Sequence, residues 1–204
     1  MIKVLLIIAC IAHVVCGYTD CLLSYGKKGR LDFKNIKDPA KMNEMFADVP
    51  LWQPMASIIT GTFAITVFAF GYLALCSWMH GYNAALSYVM LTAAIIMAVP
   101  IVTHHIICGL VEWFYIRLGR TDAVREAVLE FQKKTISTMF VGYIGLLVFT
   151  GCLFTAVVTG QTGLPVWACI FNTIPVMILL APTKLPAKGN IAGAVMFLGM
   201  ALMV

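Results

Sequence analysis

Few residues of this chain can move a proton or hold a polar group, and most of those that can lie inside long apolar runs. Asp20 stands near the end of the first run. On an α-helix it shares a face with Cys16 and Ser24, one turn away on either side, and with His13, two turns away. A second group reads Pro100-Ile-Val-Thr-His104-His105-Ile-Ile-Cys108-Gly-Leu-Val-Glu112-Trp113. Its His105, Cys108 and Glu112 recur at i, i+3 and i+7 and so line one helical face, while His104 points about 100° away. A carboxyl and an imidazole held together in poorly solvated surroundings can exchange a proton near neutral pH. Asp20 and His105 are therefore the expected catalytic pair, with Glu112 as a second acid. His104, His13, Ser57, Thr60 and Asn172 are the expected ligand-binding groups around them. Each has a structural alternative. Asp20 would anchor helices through a histidine or a hydroxyl, Glu112 would pair with Arg117 or Arg120, and Asn172 would join helices.

The elements that carry these residues follow from composition. Of 204 residues, 61% are hydrophobic and 11% charged, and the mean hydropathy is +0.94. A soluble domain cannot hide so much apolar surface, and disorder requires low hydrophobicity, so a soluble enzyme and a disordered chain are both excluded. The expected fold is all-α: a polytopic integral membrane protein whose single domain, 1–204, is a six-helix transmembrane bundle. The spans fall at about 3–24, 53–77, 84–112, 136–159, 164–182 and 190–204, each near the roughly 20 residues that cross a bilayer core. The third contains Pro100, which predicts a tilt or kink.

Charge orients the spans. Thirteen of the fourteen Lys and Arg residues fall in the segments 25–52, 113–135 and 183–189, and only Lys3 falls on the other side. The positive-inside rule makes these three loops cytosolic and both termini external. The same asymmetry argues against removal of the first segment as a signal peptide, which would reverse every later span. Trp52, Trp78, Trp113 and Trp167 sit at span ends, where an aromatic belt belongs.

Between the spans, residues 121–134 place Val124, Ala127, Val128 and Phe131 on one face, with Glu130 and Lys134 paired at i, i+4. This predicts an amphipathic helix on the cytosolic face, acting as a packed connector. Residues 26–52 are expected to be partly helical and folded back on the bundle. The seven cysteines lack paired spacing and read as small apolar residues. Neither H-x-x-x-H nor H-E-x-x-H spacing occurs, so no metal is expected, and no motif implies a cofactor. The bases are explained by topology, so no nucleic-acid partner is expected; membrane lipids and an apolar small molecule are.

Three short stretches carry a resemblance: Gly17-Tyr-Thr-Asp20-Cys-Leu-Leu-Ser-Tyr25, Met45-Phe-Ala-Asp-Val-Pro50-Leu-Trp52 before the second span, and Asn172-Thr-Ile-Pro175 in the fifth. They resemble an uncharacterised family of small bacterial multi-pass membrane proteins, a domain of unknown function. The resemblance implies a bacterial inner-membrane location and brings no active-site residues with it.

Two functions remain open on the sequence. One is an intramembrane polar pocket near the cytosolic leaflet that binds an apolar lipid-like molecule or acts on it by acid–base chemistry. The other is a non-catalytic accessory or transport-related protein whose buried polar residues only lock helices together.

Overall fold

The computed structural model describes all of residues 1–204, and they form an all-α protein. Helix α1 covers Ile2–Ser24, α2 Pro39–Phe46, α3 Trp52–His80, α4 Ala84–Arg117, α5 Asp122–Thr135, α6 Ser137–Val158, α7 Thr173–Leu180 and α8 Lys188–Met203. Four stretches are long and apolar enough to cross a membrane: α1, α3, α4 and the continuous α5–α6 unit, Asp122–Val158. The expected ends of the first four spans fall within about five residues of the ends of α1, α3, α4 and α6.

The fifth expected span is not one helix. Residues Val166–Phe171 form a 3-10 turn, and an α-helix resumes only at Thr173. Asn172 breaks the run because its side chain accepts from the Ile174 amide and so caps α7. The sixth, α8, has 16 residues, shorter than a typical span. Pro100 lies inside α4, and the helix continues through it to Arg117.

Helix starts follow local chemistry. Asp38 caps α2 through the Ala40 and Lys41 amides, Asn83 caps α4 through Leu86, and Thr121 caps α5 through Val124. Each side chain takes up amides that a first helical turn leaves unpaired.

The helices form a ring. α8 packs on α1, α1 on α3, α3 on α4 and α4 on α6; the 166–171 turn and α7 close the circuit from α6 back to α8. Small residues set the close approaches, since lipid supplies no hydrophobic force between helices and backbones must pack directly. Gly71 lies against Ala9 and Phe197, Gly109 against Ile58, and Gly145 against the α4 backbone at Ala93 and Met97. A core of 25 buried residues, including Tyr72, Met90, Phe149 and Phe197, fills one end of the ring.

At the other end sits a separate cap. A two-stranded turn, β1 (Tyr25–Gly26) and β2 (Gly29–Arg30), leads into α2. Leu31, Met42, Phe46 and Val49 pack against Ile107, Val111 and Tyr115 of α4 and Val128 of α5. Two arginines fasten it: Arg120 donates to the Phe46 carbonyl and Arg125 to the Lys37 carbonyl, both at 3.2 Å. Val128 on α5 is thus covered by protein, whereas Phe131 is exposed. All seven cysteines are free thiols.

Gly145→Ala would place a methyl group against the α4 backbone, which cannot move as a side chain can. We expect it to lower stability by about 1–3 kcal/mol, read as a lower thermal midpoint in detergent. Gly151→Ala, with open space around it, is expected to show no such loss.

Candidate functional site

Asp20 projects into the ring about one turn before the end of α1, and three other helices supply its surroundings. Asn190, in the first turn of α8, donates its amide N–H to Asp20 Oδ2 at 2.8 Å. His105 of α4 places Nδ1 3.4 Å from Asp20 Oδ1. Beyond His105, Nε2 lies 3.1 Å from the Ser57 carbonyl and 3.3 Å from Ser57 Oγ on α3. Ser57 Oγ donates to the Thr19 carbonyl at 2.9 Å, which returns the chain of contacts to α1.

Proton positions follow from which atoms are already committed. The Asn190 nitrogen is used on Asp20, so its Oδ1 accepts from His13 Nδ1–H at 2.9 Å. His13 Nε2 is then the acceptor for the Tyr72 hydroxyl at 3.4 Å. On the other side the Ser57 hydroxyl is used on Thr19, so His105 Nε2 is the donor to Ser57. That leaves one proton to lie between His105 Nδ1 and Asp20 Oδ1. The network runs Tyr72, His13, Asn190, Asp20, His105, Ser57, and it converges on the carboxyl from both directions.

Two glycines make room for the imidazoles. A Cβ at Gly61 would collide with His105 Nε2, and one at Gly193 with the His13 ring. His13 also stacks on Phe68, with ring centroids 4.0 Å apart and planes 2° from parallel, and meets Phe197 and Tyr72. Its ring is therefore held on its faces by aromatics and at both nitrogens by polar partners.

Beside this network is a cavity of about 520 Å³, within the range of small-molecule sites. Phe68, Tyr72 and Met97 line its deep end, Met42, Phe46 and Leu129 its capped end, and Tyr143 and Leu146 of α6 the far wall. Asp20, His105, His104, His13 and Glu112 all border it. The Asp20 side chain keeps 33% of its surface exposed and borders this space.

The remaining candidates differ in placement. Glu112 is buried, borders the cavity and has no hydrogen bond or ion pair; the enclosed Oε2 has no partner. Neither Arg117 nor Arg120 pairs with it, and Arg120 is directed to the cap instead. His104 is tied sideways: Nδ1 lies 3.4 Å from Thr138 Oγ1 and Nε2 3.4 Å from Cys108 Sγ. Ser57 is buried behind His105 and does not line the cavity. Thr60 is exposed on the outside of the bundle, although it lies only about one turn from the inward-facing Ser57. Asn172 is away from the cavity, donating to the Thr150 carbonyl at 2.9 Å while capping α7. Sequence reasoning missed Asn190 and Tyr72. Asn190 carried a usable signal, a lone amide opening an otherwise apolar helix.

The family model for a family of unknown function, DUF6796, matches residues 1–204. The chain belongs to this family. No curated protein and no solved structure matches the chain. The DUF6796 chain thus brings no assigned chemistry, and its site has to be read from its own geometry.

Gly61→Ala should force the His105 ring out of its place and cost about 1–3 kcal/mol. In a His105→Ala background the same change should cost much less, because the space is free. A double-mutant cycle on thermal stability in detergent measures the difference; equal costs in both backgrounds would show that Gly61 does not hold His105.

Proposed function

We propose that this protein binds an apolar, lipid-like molecule in the cavity beside Asp20, and that the Asp20–His105 pair serves it in acid–base chemistry. The observation that carries this reading is the placement of a carboxyl–imidazole pair on the wall of a largely apolar space of about 520 Å³. The pair shares a single proton position, and Asp20 is open to the cavity on its remaining side. A binding pocket of this kind needs a few placed polar groups in an apolar lining.

The proposal includes the setting. The chain would cross the bacterial inner membrane six times, with α7 and its preceding turn as a broken fifth crossing and α8 as a short sixth. Thirteen of fourteen bases then lie on the cytosolic side. The cap, α2 and the exposed Phe131 of α5 would lie at the cytosolic leaflet, with α5 resting on it.

One observation favours a second reading, in which the polar residues only lock helices. Asp20, His13, His105 and Asn190 satisfy one another across α1, α4 and α8 without a ligand. Asp20→Asn separates the two: it keeps size and hydrogen bonding but removes the titrating carboxyl. If the residue only locks helices, the variant should keep both stability and ligand. If it does chemistry, the variant should fold, retain the ligand and lose turnover or its pH dependence.

Mass spectrometry of material co-purifying with the full chain tests the pocket directly. We expect one lipid-like species enriched over bulk lipid, and loss of that enrichment in Leu146→Trp, which fills the cavity. Bulk lipid composition in both proteins would overturn the proposal. For topology, reporters after Val204 should read external and reporters within 26–50 cytosolic.

A further inference from the structure

Glu112 is the one acidic group of the cavity that the protein leaves without a partner. The residue is 4% exposed, and neither carboxyl oxygen meets a donor. A buried carboxyl left in this way is costly, whereas an added donor would offset the loss of water. Ser24, Gln132 and Tyr143 also line the space, and none of them donates to Glu112. His105 is committed to Asp20 and Ser57, and His104 to Thr138 and Cys108. Lys188, at the cavity edge, donates to the Ala181 carbonyl at 2.9 Å, and no arginine lines the space.

The acidic groups that the protein leaves open to the cavity are therefore the Glu112 carboxyl and the exposed part of Asp20. Most of the remaining lining, from Phe68 and Met97 to Phe46 and Leu129, is apolar. An anionic head would meet two carboxyls, and a purely apolar molecule would leave Glu112 as it is.

We infer that the molecule held in this cavity is an amphiphile with a protonated amine head, and that Glu112 is the residue that receives it. The inference rests on the pocket proposed above and specifies its occupant. A buried carboxyl without a partner holds its proton; an amine that arrives neutral takes that proton, and the two form a charge-assisted N–H⁺···O⁻ contact that is stronger than a neutral one and selective over an alcohol of the same length. Glu112 would be a binding residue, with Asp20 a second acceptor on the cavity wall.

The test uses three photoreactive probes with one aliphatic diazirine tail and an amine, a hydroxyl or a carboxylate head. Each is added at equal mole fraction to the full chain in phosphatidylcholine vesicles, and labelled peptides are mapped by mass spectrometry. We expect the amine probe to label the cavity segment 97–113 at least about tenfold more than the other two, a difference of about 1.4 kcal/mol. Glu112→Gln should abolish that preference and leave labelling by the alcohol unchanged, with its thermal midpoint measured alongside as a check of folding. Equal labelling by amine and alcohol, or stronger labelling by the carboxylate, in the wild-type protein would overturn the inference while leaving the pocket standing. An amine preference that survives Glu112→Gln in a folded variant would also overturn it. Labelling of 97–113 by none of the three would remove the pocket itself.

Discussion

A carboxyl group set within an apolar helical bundle has to be given hydrogen-bond partners there, and the arrangement around Asp20 is organised by that requirement. Water is not available to repair an unpaired group among lipid-facing helices. Asp20 draws Asn190 from α8 and His105 from α4, and His105 in turn reaches α3 through Ser57. Four helices are thus tied at one point. The glycines at 61 and 193 belong to the same requirement, since without them the two imidazoles could not reach their partners.

The cavity is a consequence of how the ring closes. α4 and α6 are pressed together at Gly142 and Gly145, and Phe149 and Leu153 complete the core near Tyr72. α6 is joined to α8 chiefly by way of α7 and the turn before it. Tyr143 and Leu146 border the space that this leaves. The cap covers this space with Met42 and Phe46, so the interior groups are screened on that side by a folded segment fastened by Arg120 and Arg125.

The distribution of partners separates two kinds of buried polar residue. His13, Asn190, Asp20 and His105 are linked and mutually satisfied, which explains how a polar chain survives in such surroundings. Glu112 belongs to the same wall and to no network. Asn172 is different again: it spends both ends of its amide on backbone, one to stop a 3-10 turn and one to hold α6, and so its role is to break the fifth apolar segment.

Much of this was legible in the sequence because it depends on local pattern. Apolar length placed α1, α3, α4 and α6, and helical spacing put His105, Cys108 and Glu112 on one face and His13, Cys16 and Asp20 on another. Composition alone required helices suited to a membrane. Tertiary structure decided which faces meet. Nothing near Asp20 in the chain announces Asn190, 170 positions later, because the contact arises from α8 packing on α1. Nor does spacing separate Thr60, turned outward, from Ser57, or show that Asn172 would cap a short helix and leave the fifth segment broken. A helix's period determines which residues share a side; only its neighbours determine which side is buried, which polar groups find partners there, and which carboxyl is left without one.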